Sequence, residues 1–489
     1  MSAVPLVAGD SDEALRAALQ AIVGERGLLC GADMAGYEQG ARYGQGRALC
    51  VVRPASTDEV SAVLRLCAAR RVPVLPQGAN TGLVGASSPD NSGRQVVLSL
   101  GRLRSRCEID ALDRSVAVDA GLTLQELNAR LESHGLWFPV DLGANPSIGG
   151  MVAANTGGTR LIRYGDVRHN LLALEVVLFD PPGQVLRLGS ALRKDNTGPD
   201  LKQLFVGTSG AGGVITQATL EVHPLPRQSA TALVVPGSDA ALGELLQALE
   251  LELGDHLAAF EGMSGAAMAA AIDHVPNMRN PFAPEALPEF AVLIELEAGA
   301  LASVTGLPLQ DMLDRFLEAQ FERGTIVNAA LGHASALWQL RHALSEGARA
   351  LGRVVAFDVS VPRSRIMAFR RAALAMLEAE HPHLRVTDFG HIADGGMHFN
   401  VIWPHEAVPA YDSEAVQDLR DRLYALVVDD FKGSFSAEHG IGPYNLRYYH
   451  CYTDPAAIAL ADGIRELLDP LRLCGAVDFG PDPALAACR

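Results

Sequence analysis

Three glycine-rich clusters within the first 220 residues constrain the fold more than any other feature of this sequence. They read PQGANTGLVGA over residues 76–86, DLGANPSIGGMVAANTGG over residues 141–158 and VGTSGAGGVIT over residues 206–216. The second cluster is too rich in glycine for a regular core element, because glycine brings no side chain to pack. Backbone without side chains can pass close to another group, so these segments are predicted to line a site.

The first cluster offers a series of backbone N–H groups, with the amide of Asn80 and the hydroxyl of Thr81 at its centre. Such a nest binds diphosphate through dipoles rather than through charge. It is neither a Walker loop nor a Rossmann fingerprint, because no Gly-Lys-Ser/Thr closes it and no Gly-x-Gly-x-x-Gly opens a helix. Each cluster alone is also consistent with tight turns. Together the three clusters favour a long dinucleotide lying across the backbone.

A second candidate site lies in residues 388–402, DFGHIADGGMHFNVI, where two β-type runs flank a turn at Ala393–Gly396. Asp-Gly and Gly-Gly pairs supply the positive φ angles that a hairpin needs, so two antiparallel strands are predicted. The hairpin would bring His391 and His398 close together. Because side chains alternate along a strand, His398 and Asn400 point the same way.

The segment SFSAEHGIG, residues 434–442, adds a carboxylate and an imidazole, Glu438 and His439. Two neutral imidazoles and one carboxylate suit a divalent metal such as Zn²⁺ and leave positions open for substrate. His391, His398 and Glu438 are therefore candidate ligands, with His439 as a base beside the metal. The alternative is a set of hydrogen-bonded core histidines, since no HExxH helix spacing is present.

Composition limits the organisation and the partners of the chain. A chain of 489 residues is too long for one core, so two or three domains are expected. The net charge of −17 argues against a nucleic-acid partner, and no run of eighteen apolar residues predicts a transmembrane segment. Without a signal-like N-terminus or a C-x-x-C pair, reduced thiols and a cytoplasmic location are expected, with peripheral membrane association left open.

Two helix starts are readable from local pattern. Ser56 with Glu59, and Thr123 with Glu126, have the spacing of a capping box, and Gly135 is predicted to end the second helix. From residue 224 to residue 380 the pattern alternates between helix and strand without glycine clusters, which indicates a separate α+β domain.

Taken together, these motifs resemble a known flavoprotein family. The three glycine clusters are similar to the flavin-binding loops of the vanillyl-alcohol-oxidase-type, or PCMH-type, FAD family. GHIADGGMHFNV and SAEHGIG resemble the C-terminal signature of the FAD-linked D-2-hydroxyacid dehydrogenases, and the order agrees over nearly the whole chain. The resemblance implies an α+β fold with a PCMH-type FAD-binding domain over 1–223, a cap domain with a large antiparallel sheet over 224–455, and a segment over 456–489 that packs back on the FAD domain.

The same resemblance implies which residues hold FAD. The pyrophosphate is expected at the first cluster, the ribityl chain and isoalloxazine along the second, and further backbone contacts from the third. Gln77 stands in a loop where covalent-flavin relatives carry histidine, so non-covalent FAD is expected. The implied residues are Pro76, Gly78, Ala79, Asn80, Thr81, Gly82, Leu83, Gly85, Pro146, Ser147, Gly149, Gly150, Ala153, Asn155, Gly157, Gly210, Gly213 and Ile215.

The resemblance also implies the reaction and its residues. A D-2-hydroxyacid, similar to D-lactate or D-2-hydroxyglutarate, would be oxidised to the 2-oxoacid, with hydride passing from C2 to flavin N5. The electrons would go to a quinone, an electron-transfer flavoprotein or a cytochrome rather than to NAD, and family habit suggests a homodimer. The roles carried over are Zn²⁺ or Mn²⁺ on His391, His398 and Glu438, general base for His439, and substrate contact for Arg341, Ser345 and Asn400.

Several positions depart from the family pattern. Ala356 stands where relatives selective for dicarboxylates often have a lysine, Asn445 where many have a lysine, and Ser209 where a glutamate is usual. These departures leave the substrate and the strength of flavin binding open. Two alternatives therefore stand beside the dehydrogenase: a metal-independent FAD alcohol or sugar oxidase of the same fold, and a non-catalytic flavin-binding subunit.

Overall fold

The computed structural model describes residues 12–299, 308–332 and 334–482. Residues 12–224 form the N-terminal part and residues 225–482 the C-terminal part. The helices of the N-terminal part are α1 Asp12–Val23, α2 Ala35–Glu38, α3 Thr57–Ala69, α4 Leu124–Glu132, α5 Ile148–Ala154, α6 Leu161–Tyr164 and α7 Val167–Asn170. Its strands are β1 Leu28–Leu29, β2 Ala48–Val52, β3 Val74–Gln77, β4 Gln95–Ser99, β5 Cys107–Asp110, β6 Ser115–Asp119, β7 Leu136–Trp137, β8 Leu171–Val177, β9 Val185–Gly189, β10 Val214–Glu221 and β11 His223–Pro224.

The C-terminal part contains longer elements. Its helices are α8 Asp239–Leu253, α9 Gly265–His274, α10 Leu309–Glu322, α11 Ala334–Leu351, α12 Ile366–Glu380, α13 Ser413–Ala425, α14 Leu446–Tyr452 and α15 Pro455–Leu468. Its strands are β12 Gln228–Pro236, β13 Leu257–Ser264, β14 Phe290–Ala298, β15 Ile326–Leu331, β16 Gly352–Ser360, β17 Arg385–Gly390 and β18 Gly396–Pro404. The mixed fold with one large antiparallel sheet confirms the α+β class.

The N-terminal part is built on two main sheets. The first has the order β1-β2-β4-β3, with β4 parallel to both β2 and β3, and the second is antiparallel with the order β5-β6-β10-β8-β9. Every residue of β2 and β4 is buried, as expected for parallel strands covered on both faces. Both predicted helix starts are confirmed: Ser56 caps α3, and Thr123 and Glu126 form a complete capping box on α4.

The C-terminal part is organised by one antiparallel sheet of seven strands, in the order β15-β12-β14-β13-β17-β18-β16. The predicted hairpin is confirmed, because β17 and β18 pair in antiparallel register with Phe389 opposite His398. Across β18 from β17 lies β16, where Ala356 is opposite Asn400 and Asp358 is opposite His398.

Alternation along these strands sorts their side chains onto two faces. Val355, Phe357 and Val359 of β16 join one core, with Phe399 and Val401 of β18. The residues between them, including the site residues described below, face the opposite side, where α9 and α11 pack. One face of the sheet is therefore mainly apolar core, with the Asp388–Arg370 ion pair buried in it, and the other face carries the polar residues of the site.

Helix α11 lies close against α9 because of Gly347. A Cβ atom at this position would lie 2.5 Å from the backbone nitrogen of Ala271, closer than real Cβ contacts allow. The close approach fixes which face of α11 turns away from α9, and that face carries Arg341.

A charged cluster joins the two parts. The Arg160 guanidinium contacts Asp141 at 2.6 Å in the N-terminal part, and Glu295 at 2.9 Å and Glu297 at 3.0 Å in the C-terminal part. The indole of Trp338, on α11, donates to Glu295 and lies 5.3 Å from the guanidinium. The cluster thus connects the second glycine cluster, which begins at Asp141, to β14 and α11.

The chain then returns to the N-terminal part. Val74 of β3 donates to the carbonyl of Leu473 and accepts from Gly475, and the thiol of Cys474 donates to the carbonyl of Gly210 in the third glycine cluster. The predicted boundaries at 223/224 and 455/456 stay predictions. Residues 1–11 and 483–489 of the first and last predicted segments lie outside the described residues.

The structure bears on two expectations from composition, the state of the cysteines and the lack of a transmembrane segment. Cys30, Cys50, Cys67, Cys107 and Cys474 are free, as expected for reduced thiols, but Cys451 is disulfide-bonded, so the expectation was wrong for that residue. Within the described ranges, none of the helices has the length and apolarity needed to cross a membrane.

Candidate active site

A cavity of about 740 Å³ lies between the two parts, within the size range of small-molecule and cofactor sites. All three glycine clusters contribute to its wall, together with α11, β16, β18 and the loop after α13. The predicted cofactor residues on the wall are Pro76, Gly78, Ala79, Asn80, Thr81, Gly82, Leu83, Pro146, Ser147, Gly149, Gly150, Ala153, Gly210, Gly213 and Ile215. All seven predicted metal, base and substrate residues also line it, namely Arg341, Ser345, His391, His398, Asn400, Glu438 and His439.

Three predicted cofactor residues do not line this cavity. Gly85 has φ +75° and packs on the backbone of Tyr43. Asn155 ends α5 in the left-handed conformation, and its amide donates to Asp166. Gly157 packs beside Glu438, and a Cβ there would lie 3.4 Å from a Glu438 carboxylate oxygen. These three residues shape the loops, and their cofactor contacts stay predictions.

The backbone of the glycine clusters packs so closely on its neighbours at several positions that no side chain fits there, which suits an extended cofactor. A Cβ at Gly78 would lie 2.1 Å from Ser147 Oγ, and one at Gly149 would lie 2.6 Å from Ala120 Cβ. The side chain of Asn80, expected to face a ligand, instead donates to the carbonyl of Gln39 and accepts from Ser87. The first cluster therefore offers mainly backbone to a ligand, as a diphosphate nest does.

The two hairpin histidines converge on one carboxylate. His398 Nε2 lies 3.4 Å and His391 Nε2 lies 3.7 Å from Glu438 Oε1, and the two rings are 5.3 Å apart. Both distances are too long for good hydrogen bonds. Two imidazole nitrogens and a carboxylate oxygen facing one another across such gaps form a donor set that suits a divalent ion.

The other nitrogen of each histidine faces a buried carboxylate. His391 Nδ1 contacts Glu261 at 2.7 Å, and His398 Nδ1 lies 3.6 Å from Asp358 Oδ1, a buried oxygen without a hydrogen-bond partner among the described residues. Glu261 thus fixes the proton on His391 Nδ1 and directs Nε2 toward Glu438, while Asp358 lies on the corresponding side of His398 without a hydrogen bond. The residues therefore fit a metal at the centre.

The electrostatics of the centre favour a cation. Burial would raise the pKa of Glu261, but His391 and Arg341 outweigh it and lower this pKa to about 2. Burial opposes the charged form of His391, yet Glu261 and Glu438 raise its pKa well above the usual value. Burial lowers the pKa of His398 to about 4, against the opposing charge of Glu438. The positive charge that Glu261 and Glu438 favour at this centre is thus carried by a proton on His391, which a bound divalent ion would displace.

A second set of possible metal ligands shares His398 and Glu438 with the first. Ligand atoms of Asp358, His398, Glu438 and His439 lie within 4.8 Å of one another. One oxygen of Asp358 is engaged, because Oδ2 accepts backbone N–H groups of Ala437, Glu438 and His439 at 2.8–3.1 Å, while Oδ1 faces His398 without a hydrogen bond. We therefore assign Asp358 to holding the loop and keep His391, His398 and Glu438 as the candidate ligands.

His439 is placed beside the centre by the same loop. Its ring is stacked on His398 at 5.6 Å between centroids, and its Nδ1 lies 3.6 Å from Asp358 Oδ2. Two positions that depart from the family pattern stabilise this loop: Asn445 bonds to the backbone of Gly440 and Gly442, and Ser209 donates to the carbonyl of Ile441. Ser209 thereby ties the third glycine cluster to the loop of His439.

The wall formed by α11 contains a buried arginine whose charge is paired. Arg341 Nε and Nη2 donate to Glu261 at 2.9 and 2.7 Å, and its guanidinium lies over Phe389 at 4.7 Å. Ser345 lies one turn further along α11, and Asn400 reaches the wall from β18. Glu261 therefore bonds to a candidate metal ligand and to the candidate substrate arginine at once.

Glu261 and Asp358 were not predicted from sequence. Each is a single carboxylate inside an apolar strand, LAAFEGMS and GRVVAFDVS, and each is buried. A buried charge needs a partner, so a lone acid in such a run is a usable signal of a polar site.

Comparison with known proteins defines the class of this fold and site. Residues 48–189 match the family model described as an FAD binding domain, and residues 225–477 match FAD linked oxidases, C-terminal domain. Among solved structures, p-cresol methylhydroxylase matches with a TM-score of 0.71 and 16% identity, over 96% of this chain and 98% of that one. Alkyldihydroxyacetonephosphate synthase matches with a TM-score of 0.72 and 15% identity, over 97% and 87%. The fold is the PCMH-type fold expected, and the cofactor is FAD.

Similarity to curated proteins narrows this class of FAD-dependent oxidases to one family. A probable D-2-hydroxyglutarate dehydrogenase of Oryza sativa subsp. indica is 33% identical over 92% of this chain and 79% of the relative, and the D-2-hydroxyglutarate dehydrogenase of Danio rerio is 34% identical over 90% and 79%. The D-2-hydroxyglutarate–pyruvate transhydrogenase of Saccharomyces cerevisiae is 30% identical over 87% and 85%. The chain belongs to the FAD-linked D-2-hydroxyacid dehydrogenase family and is an oxidoreductase that acts on a D-2-hydroxyacid.

Proposed function

We propose that this enzyme oxidises its D-2-hydroxyacid with the help of a divalent metal, Zn²⁺ or Mn²⁺, held by His391, His398 and Glu438. The observation that carries the proposal is the convergence of two Nε2 atoms on one carboxylate oxygen without hydrogen bonds between them. A metal-independent oxidase would have no use for two imidazoles that face one carboxylate oxygen with a buried carboxylate behind each ring.

The protein groups have separate tasks in this reaction. A divalent ion, when bound, supplies a Lewis acid for the substrate's oxygens, and FAD, when bound, supplies the hydride acceptor. Arg341 presents a planar fork to the C1 carboxylate, and Ser345 and Asn400 line the space beside it. His439 accepts the proton of the 2-hydroxyl at Nε2, while Asp358 near Nδ1 stabilises the imidazolium that forms. The substrate thus loses a proton and a hydride and becomes the 2-oxoacid.

The relatives' names support a D-2-hydroxyglutarate-like substrate. We propose that the electrons leave the flavin for an acceptor other than NAD. A quinone, an electron-transfer flavoprotein and a cytochrome are the candidates from the family resemblance, and the name of the yeast relative adds a 2-oxoacid such as pyruvate.

The test is anaerobic mixing of the purified flavoprotein with D- and L-2-hydroxyacids while the visible absorbance of the flavin is followed. Bleaching by D-2-hydroxyglutarate or D-lactate, lost after chelation and restored by Zn²⁺ or Mn²⁺, is the expected result. Bleaching that is indifferent to chelation would overturn the metal's role and favour the metal-independent oxidase. A yellow protein that no hydroxyacid bleaches would overturn the proposed reaction.

A further inference from the structure

One face of α11 forms a row along the cavity. Arg341, Ser345 and Arg349 follow one another at intervals of four residues, and all three line the wall. Residues four apart on a helix share one face, so the row runs about 12 Å along the helix axis from Arg341 to Arg349. Gly347, on the opposite side, holds this helix against α9 and keeps the row turned to the cavity.

The two arginines of this row differ in how their charge is balanced. Arg341 is buried and bonds to the Glu261 carboxylate, which also neutralises its charge. Arg349 is exposed at the cavity, and no carboxylate of the described residues comes within ion-pair distance of it. An unpaired guanidinium on the wall is free to bind an anionic group of a ligand.

Other cations on the described wall are less suited to a second acidic group of the substrate. Arg42 belongs to a loop that packs on Gly85 of the first glycine cluster through Tyr43, which places it on the cofactor side. Burial lowers the pKa of His342, so this imidazole is less readily charged than a guanidinium. Arg349 remains on the same helix face as Arg341.

Strand β16, beside α11, offers no positively charged side chain on the wall to pair with a second carboxylate of the substrate. Ala356 of β16 lines the cavity opposite Asn400 and offers only a methyl group. Long side chains on a helix lean toward its N-terminus, and from Arg349 this is the direction of Ser345 and Arg341. This direction shortens the gap to a substrate anchored at Arg341.

Resting on the proposed function, we infer that Arg349 binds the second acidic group of a D-2-hydroxy diacid and sets the preference for diacids over monoacids. Arg349 would thus supply the positive charge that dicarboxylate-selective relatives often carry as a lysine at the position of Ala356. Because Arg349 is exposed, the preference weakens as salt concentration rises.

The test compares kcat/KM for D-2-hydroxyglutarate and D-lactate in the flavin-loaded enzyme. Arg349→Gln is expected to lower the ratio of the two values by roughly 10- to 100-fold, the range for losing one charge-assisted contact. The matched control is Arg353→Gln, which removes a nearby exposed positive charge stacked on Tyr411, away from the cavity wall. Adding Ala356→Lys to Arg349→Gln is expected to restore the ratio.

The outcomes separate this inference from the proposed function. If Arg349→Gln leaves the ratio of the two kcat/KM values unchanged, including by lowering both equally, the role of Arg349 is overturned. The dehydrogenase reaction itself would stand. A wild-type enzyme reduced by D-lactate but not by D-2-hydroxyglutarate would have the same two consequences. A wild-type flavin reduced by neither acid would remove both proposals.

Discussion

Replacing Glu261 with glutamine is the sharpest test of how this site is organised. The Glu261 carboxylate is 1% exposed and accepts from His391 Nδ1 at 2.7 Å and from two nitrogens of Arg341 at 2.9 and 2.7 Å. The charges of His391 and Arg341 lower its pKa to about 2 against the effect of burial, so it is ionised at neutral pH. Glutamine has nearly the same shape, so the substitution removes charge without opening a cavity.

Two effects are expected from this single change. Arg341 would be left as a buried charge without its counterion, and breaking such a pair costs about 3–5 kcal/mol of unfolding free energy. His391 would lose the partner that fixes its Nδ1–H, and the loss of such a partner weakens metal binding by roughly 10- to 100-fold. Stability and metal affinity should therefore fall together.

The measurement is a Zn²⁺ titration against a competing chelator, paired with chemical unfolding of the flavin-loaded protein. Glu289→Gln is the matched control, because Glu289 also contacts a buried arginine, Arg370 at 3.1 Å, but is 86% exposed. The control should change stability by no more than about 1 kcal/mol and leave Zn²⁺ affinity unchanged. Wild-type Zn²⁺ affinity and stability in Glu261→Gln would refute the role given to Glu261.

Three further predictions concern the base, the cofactor loops and pH. His439→Ala should slow flavin reduction by about 10²- to 10⁴-fold with the bound flavin's absorbance retained, and undiminished reduction would remove His439 from the mechanism. Gly149→Ala places a Cβ 2.6 Å from Ala120 Cβ, so stability should fall by about 1–3 kcal/mol and more flavin should be released on dilution; wild-type flavin retention would contradict the packing argument. Burial lowers the pKa of His223, whose Nε2 bonds to Asn170, so the unfolded state binds more protons below about pH 6.5 and unfolding free energy should fall there, by at most about 1.4 kcal/mol per pH unit. Chemical unfolding at pH 7.5 and 5.5 should show a smaller pH dependence in His223→Gln, and an equal dependence would exclude His223 as the source.

Features set by short stretches of sequence could be predicted. The Asp-Gly-Gly turn between β17 and β18, the capping box of Thr123 with Glu126, and the alternation that turns His398 and Asn400 to one face all depend on neighbours a few residues apart. The resemblance of the motifs to those of a flavoprotein family also predicted which loops line the same site. The convergence of His391 and His398 followed from the hairpin alone.

Features that depend on strand order could not be predicted. Glu261 reaches His391 across 130 residues because β13 lies beside β17, and nothing local in the sequence specifies that neighbour. Asp358 meets the loop of His439 because β16 pairs with β18 at the far end of the sheet. The side chain of Asn80 bonds within its own loop, a choice set by the position of Gln39.

The Arg160 cluster makes the two halves of this enzyme a matched pair. One guanidinium is shared between Asp141 before the junction and Glu295 and Glu297 after it, and it is largely buried. A chimera could join the residues before 225 of one homologue to the residues from 225 onward of another. It would leave buried charges without counterions unless both parents had the same residues at positions 141, 160, 295 and 297. Recombination at this junction is therefore productive only between parents that carry the same cluster.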